Sequence, residues 1–219
     1  MASWMIHLRI ADKLLDRIPD ISPIEFIMGN MAPDSGVPNA DWSAFTPDKN
    51  VSHFKVDGKS MDPEAYIARY FTPELRAGYD DGQFAFYLGY LTHLLADVIW
   101  HDEIYLPCRA SRMAEFEADK NGFVSRVKAD WYDLDFLYLK KHPGFRAFRA
   151  YLGSVGFVNR YLPFFAPDAF DNRREYITAF YLEPREGLER EYPYLTEARA
   201  DKFVEDTAAR ILARLEEML

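Results

Sequence analysis

A single cysteine, Cys108, stands among 219 residues. The chain therefore has no internal disulfide and no multi-cysteine zinc site open to it. Histidine is nearly as scarce, with five copies at positions 7, 53, 93, 101 and 142. Any metal bound here must rely on imidazole and carboxylate. Basic charge is also short: 26 Lys and Arg face 35 Asp and Glu, a formal net charge of −9. That balance argues against sequence-independent binding of duplex nucleic acid, whose affinity comes mainly from cations neutralising phosphates. It leaves nuclease chemistry open, because bound cations supply positive charge locally. No apolar run approaches the roughly eighteen residues of a membrane span. The most hydrophobic stretch, FAFYLGYLTHLLADVIW, is interrupted by His93 and Asp97. The N-terminal segment carries Arg9, Asp12 and Lys13 and so lacks the apolar centre of a signal peptide, which leads to the expectation of a cytoplasmic protein. Glycine-rich phosphate loops, a serine nucleophile elbow and reactive-cysteine motifs are missing too.

What is present reads as a folded helical protein. Apolar residues make up 49% and charged residues 28%, outside the range of disordered chains. No Ser/Gly-rich linker divides the sequence, so one domain over 1–219 is expected. Ile6, Ile10, Leu14, Leu15 and Ile18 recur at helical spacing before Pro19. Ser22-Pro23-Ile24-Glu25 has the form of a capping box with proline at the first helical position, and starts a short helix. From Ala32 to Met61 the chain is broken by Pro33, Gly36, Pro38 and Pro47, and reads as a long irregular connection of the kind that usually carries function. Helix starts follow at Asp62-Pro63-Glu64 and Thr72-Pro73-Glu74. A long helix, apolar on most sides, is expected from about Asp81 through Ile104, with Pro107 ending it. Further helices are expected at 109–119, 122–140, 144–152, 172–182 and 196–218. The sum is an all-α, multi-helix bundle with a buried central helix and a long ligand-bearing loop.

The central helix carries the most informative pair. His93 and Asp97 lie four residues apart, which places both side chains on one face, about 6 Å apart along the axis. A carboxylate inside so apolar a helix is costly unless a cation or metal answers it. The bland alternative is a buried hydrogen-bonded His–Asp pair, or an arginine partner for Asp97. His101 extends the stripe by one turn. The loop adds Asp34 in GNMAPDSG and His53 in VSHF, each weak evidence alone: the first has the look of a turn residue, the second of a surface histidine. Together the four supply the nitrogen and oxygen donors that zinc prefers. The aromatic cluster Tyr161, Phe164, Phe165 reads as core. The basic pairs Arg173-Arg174 and Lys140-Lys141 read as solvated faces, and His142 as a surface residue at a helix end.

In order and spacing the sequence resembles the zinc-dependent phospholipase C family, whose fold is shared with single-strand nucleases. That pattern runs Trp and His near the N-terminus, an Asp in a loop, a further His, then a helical H-x-x-x-D. The corresponding residues are Trp4 and His7, Asp34, His53, and His93 with Asp97, all within roughly the first 105 residues. The resemblance implies that Asp34, His53, His93 and Asp97 hold one Zn2+ and that His7 with Asp97 contributes to a neighbouring one. Two departures bear on a third ion. Met1-Ala2-Ser3 precede Trp4, whereas the secreted members begin at the Trp and use its amine as a ligand. The family's later H-x-x-x-E/D finds only His142, with Arg146 where the carboxylate belongs. His101, Asp102, Asp133 and Asp135 are the candidates to replace those missing ligands.

The implied activity is hydrolysis of a phosphodiester, whether a phospholipid, a nucleotide or another small phosphodiester, by water acidified at the metal, with no protein nucleophile. Asp34 is the candidate general base. Two rivals are weighed against this. His101-Asp102 could instead be the doublet of an HD-type phosphohydrolase, in which case His7 and Asp34 would be incidental. Or the chain is a helical binding module whose metal site has decayed.

Overall fold

The computed structural model describes residues 1–41, 43–56, 58 and 60–218. It is all-α apart from two minimal hairpins. The elements that build the site are α1 (Trp4–Leu15), α2 (Pro23–Met31) followed directly by a 3-10 turn (Ala32–Asp34), α3 (Lys49–Ser52), and the central α6 (Asp81–Trp100). Between α3 and α6 lie the short helices α4 (Pro63–Tyr70) and α5 (Pro73–Arg76). After α6 come α7 (Leu106–Ser111), α8 (Met113–Ala118), α9 (Lys120–Lys141), α10 (Arg146–Gly153), α11 (Ala169–Leu182) and α12 (Glu197–Met218).

The connection between α2 and α4 is less irregular than its prolines suggest. Strand β1 (Val37–Pro38) pairs antiparallel with β2 (Phe45–Thr46), and β3 (Lys55–Val56) with β4 (Ser60–Met61). Two-residue strands are too short to show the alternation that marks a strand in sequence. Asp48 caps α3, its Oδ1 accepting from the Asn50 amide at 2.8 Å. At Ser22 the capping box does not form: α2 begins at Pro23 as expected, but the serine side chain makes no cap hydrogen bond.

α6 is the axle of the molecule. Asp80 caps it, its Oδ1 accepting from the Gln83 amide at 2.7 Å, and Phe86, Leu88, Tyr90, Leu91, Leu94 and Trp100 are fully buried along it. Helix α2 lies against α6 at backbone contact, and two glycines permit this. A Cβ on Gly89 would sit 2.0 Å from the Phe26 carbonyl oxygen, and one on Gly29 would sit 2.0 Å from that of Phe86. Fully burying side chains such as these contributes roughly 1.5–3 kcal/mol apiece.

Pro107 does not end the helix. The chain passes through a π-helical turn at His101–Tyr105 and continues as α7, with Pro107 in its first turn. A proline removes one amide donor and crowds the carbonyl four residues back. Here that carbonyl belongs to Glu103, and it accepts from Arg199 Nη2 of α12 at 3.3 Å. The widened turn and this outside donor let the helix survive the proline.

Candidate metal centre

Five of the six sequence-nominated ligands converge on one buried point. His7 comes from α1, Asp34 from the 3-10 turn after α2, His53 from the C-terminal end of α3, and His93 and Asp97 from consecutive turns of α6. His7, His53, His93 and Asp97 are fully buried, and the Asp34 side chain is 10% exposed. The His7 and His93 rings stack at 3.7 Å with planes 5° apart, and His53 meets His93 edge-on at 5.5 Å. Asp97 lies within 3.3 Å of His7 Nε2, 3.4 Å of His93 Nε2 and 3.8 Å of His53 Nε2. Asp34 Oδ1 stands 3.4 Å from His53 Nε2.

The surroundings orient these donors. His93 Nδ1 is 2.7 Å from the Asn30 carbonyl oxygen. A carbonyl only accepts, so Nδ1 carries the proton and the Nε2 lone pair faces the cluster. The glycine-mediated contact of α2 with α6 brings Asn30 this close, since Gly29 adjoins Asn30 and Gly89 lies one turn before His93. His53 Nδ1 is 2.9 Å from Ser52 Oγ, which leaves its Nε2 pointing inward as well. The Ala2 amide donates to Asp97 Oδ1 at 2.6 Å and fixes that carboxylate.

What remains is a set of buried polar atoms with no hydrogen-bond partner: both ring nitrogens of His7, Nε2 of His53 and of His93, and Oδ2 of Asp97. Leaving one such atom unpaired costs about 1–3 kcal/mol, so a cluster of them facing one another needs a common ligand. Ligand atoms of His7, His93 and Asp97 lie within 4.8 Å of one another, as do those of Asp34, His53 and His93. Three imidazoles and two carboxylates in this arrangement fit zinc. His93 belongs to both groups but offers one free nitrogen, so it serves only one ion at a time.

Four of the five ligands are held in the protonation state a metal needs, and His93 is the exception. Burial, reinforced by His93, depresses His7 to about 4, which keeps it a neutral donor. Burial lowers His53 too, with Asp34 opposing it. Burial pulls His93 the same way, but Asp97, Asp34 and the Asn30 carbonyl outweigh it and raise the imidazole above its ordinary 6.5. For Asp34, burial favours the neutral acid, yet His53 and His93 more than offset this and hold it ionised. Asp97 is held far below the carboxylate range in the same way, by the charge at the amino terminus, His93 and His7.

The sixth nominee lies elsewhere. His101 stands on the exposed π-helical turn, its Nδ1 2.9 Å from Asp102 Oδ1, and joins neither ligand group. Two helical turns beyond His93, it lies too far along the axis and too far around it to reach the cluster. The other proposed substitutes are engaged elsewhere as well. Asp133 pairs with Arg185 and Arg190, both at 2.8 Å or less. Asp135 accepts from Ser3 Oγ at 2.8 Å and from the Tyr181 hydroxyl at 2.6 Å. His142 is exposed, with Nδ1 at the Tyr138 carbonyl.

A family model described as zinc-dependent phospholipase C matches residues 6–155, a span that includes every member of the cluster. The chain belongs to the zinc-dependent phospholipase C family. No curated protein and no solved structure matches it. The match runs well past the first 105 residues in which the sequence pattern is visible.

Beside the cluster opens a cavity of about 680 Å³. Asp34 lies in its wall and joins it to the buried donors; Trp4, Trp131 and Tyr132 supply aromatic surface, and His101 stands at its edge. Arg173 also lines it, and corrects an expectation. Arg173 and Arg174 are 6% and 8% exposed rather than solvated. Arg173 donates to the Gly36 carbonyl and stacks on Tyr176, while Arg174 pairs with Asp171 at 2.7 Å. Two adjacent arginines on a helix near the surface give no signal that both turn inward. Lys140 and Lys141 are solvated as expected, pairing with Glu189 and Glu197.

Among the described residues no helix is long and apolar enough to cross a membrane.

Proposed function

We propose that this member of the family is a zinc-dependent phosphoesterase that hydrolyses a phosphodiester in the cavity beside Asp34. The observation that carries the reading is the set of buried, partnerless atoms on His7, His53, His93 and Asp97. Asp34, His53, His93 and Asp97 would hold one zinc ion, and His7 with Asp97 would contribute to a neighbouring one. Zinc bound there supplies Lewis acidity, polarising phosphoryl oxygens and making water a nucleophile near neutral pH.

The chain's own residues do the rest. Asn30 and Ser52 fix the ring orientations of His93 and His53, and the Ala2 amide fixes Asp97. Of the five clustered residues, Asp34 is the one that also lines the cavity. Held ionised, its carboxylate would orient the attacking water and accept its proton. The apolar packing around α1 and α6 keeps bulk water from the far side of the cluster, where electrostatic interactions gain strength.

The test is hydrolysis of bis(p-nitrophenyl) phosphate by protein stripped with a chelator and then reconstituted with zinc. Hydrolysis should vanish on stripping, return with zinc, and stay absent in His53→Ala and Asp97→Asn. Turnover that survives the chelator, or survives both substitutions, would refute the reading.

A further inference from the structure

Four cationic side chains from four separate elements line the cavity beside Met1 and its amino-terminal charge: Lys49 of α3, Lys55 of β3, Lys128 of α9 and Arg173 of α11. Asp34 is the one carboxylate among the described lining residues, and it faces the metal ligands. This is a local reversal of sign in a chain whose formal net charge is −9.

The three lysines are not consumed by the fold in the way the others are. None of the three lysines forms an ion pair with a described carboxylate, whereas Lys13, Lys140, Lys141 and Lys202 each do. Lys49 lies over the Phe45 ring at 4.1 Å. Arg173 is anchored by the Gly36 carbonyl and Tyr176. Burial lowers the basicity of Lys49; Asp34 opposes this, and Lys128, Lys55 and Arg173 add to it, so Lys49 feels the charge of the other three. Gathering like charges around a partly enclosed volume is unfavourable unless an anion neutralises them. A phosphodiester carries one negative charge at the scissile group, and zinc held by the buried cluster would already answer it. Four further cations are more than that charge requires.

We infer that the substrate is a phosphodiester bearing a second anionic group, a phosphate or carboxylate, which Lys49, Lys55, Lys128 and Arg173 bind while the scissile phosphate sits at Asp34. The inference rests on the phosphoesterase reading for the word substrate. The anion site itself rests on the cations alone. A zwitterionic quaternary-ammonium headgroup is disfavoured, since its positive end would enter a cationic wall despite the aromatic surface available to it. The same chemistry is offered by an anionic phospholipid headgroup and by a soluble bis-anionic phosphoester.

Trp4 and Trp131 in the cavity wall give a binding readout that needs no turnover. Fluorescence quenching of the full chain as purified is titrated with 2,3-bisphosphoglycerate and, separately, with phosphocholine. Each titration is repeated on chelator-stripped protein, because the bisphosphate offers bound metal more donors than phosphocholine does. The bisphosphate should bind about tenfold or more tighter, with the ratio shrinking as salt rises. Lys49→Gln combined with Lys55→Gln should cut that ratio by about tenfold. Lys128→Glu, a change at an exposed position, should cut it independently and guards against a folding defect in the double variant. Vesicles of phosphatidylinositol 4-phosphate in phosphatidylcholine, set against phosphatidylcholine alone, separate the two sources. Selective vesicle binding supports the lipid source, and selectivity for the soluble bisphosphate alone supports the other. Equal affinity for bisphosphate and phosphocholine, or a ratio unmoved by all the lysine variants, overturns the inference. Selective binding without zinc-dependent hydrolysis would refute the phosphoesterase reading and leave the anion site standing. Zinc-dependent hydrolysis with no anion preference would do the reverse.

Discussion

Two groups of buried carboxylates in this molecule meet opposite fates. On α9, Asp130 and Asp133 are answered by arginines: Arg190 reaches both, Arg185 reaches Asp133, and the Tyr194 amide donates to Asp130. No oxygen of that network is left without a partner. On α6, Asp97 faces three imidazoles whose inward nitrogens, like its own Oδ2, find nothing. Burial is similar in the two places, so burial alone does not mark a metal site. The difference lies in the charge of the neighbours. Arginine is permanently cationic and completes the pair, while a neutral imidazole offers a lone pair and leaves the carboxylate's charge for a third party.

The largest expected effect divides these regions directly. Zinc added to stripped protein should raise its stability, by about 2.7 kcal/mol at a hundredfold excess over the dissociation constant. Asp133→Asn should keep that gain in full while lowering the starting stability by about 1–2 kcal/mol, since its arginine partners are 34% and 48% exposed and screened by water. His53→Ala should lose most of the zinc gain. Denaturant titrations with and without zinc would show this, and a zinc gain lost in Asp133→Asn would dissolve the distinction between the regions.

Gly89→Ala comes next. Its methyl would be driven into the Phe26 carbonyl, so overpacking should cost about 1–3 kcal/mol and displace the Asn30 carbonyl from His93. Zinc affinity should therefore fall although no ligand is altered. A variant with reduced stability and unchanged zinc affinity would show that the helix contact does not position His93.

How much of this was open to inspection in the sequence follows from the same contrast. His93 and Asp97 are legible because a helix converts a spacing of four into a shared face. Asp34 and His53 carry no periodic signal; each is weak evidence alone, and they gain weight from matching zinc's donor preference beside His93 and Asp97 and from the resemblance to a family pattern. Asp133 and Asp135 looked as plausible as ligands, because the arginine and tyrosine that engage them lie about 45 to 60 positions away. The central helix was visible from its apolar run, but its passage through Pro107 was not, since the donor that rescues the Glu103 carbonyl comes from α12. The cationic cavity wall drew no attention for a similar reason. Its four members are scattered over four elements, and one of them, Arg173, reads as solvated.

A smaller effect follows from proton competition. His93 titrates above 6.5 and His7 near 4. A metal must displace the proton from His93 once the pH falls below that raised value, whereas His7 stays available until far lower. Zinc affinity should hold steady at alkaline pH and then weaken by about tenfold per pH unit through mildly acidic conditions. Dissociation constants measured with a competing chelator across that range would check the slope, and an affinity flat down to about pH 4 would remove His93 from the ligand set.

The smallest effect concerns another buried carboxylate, Asp135. Burial raises Asp135 to about 7, against the hydrogen bonds from Tyr181 and Ser3. The folded state then holds a proton that the unfolded chain releases near 3.8, so this group's contribution to stability declines as pH rises from about 4 to about 7. Asp135→Asn should gain on the wild type across that window and track it above. Parallel urea midpoints at all pH values would contradict the assignment.

The central claim, that Asp97 and its three imidazoles form a metal centre, is tested most directly by elemental analysis. Wild type and Asp97→Asn would be purified side by side without a metal-affinity tag, dialysed against zinc and washed free of excess. The account predicts at least one tightly held zinc per wild-type chain and essentially none in the variant. A wild type without metal, or a variant that retains it fully, would contradict it.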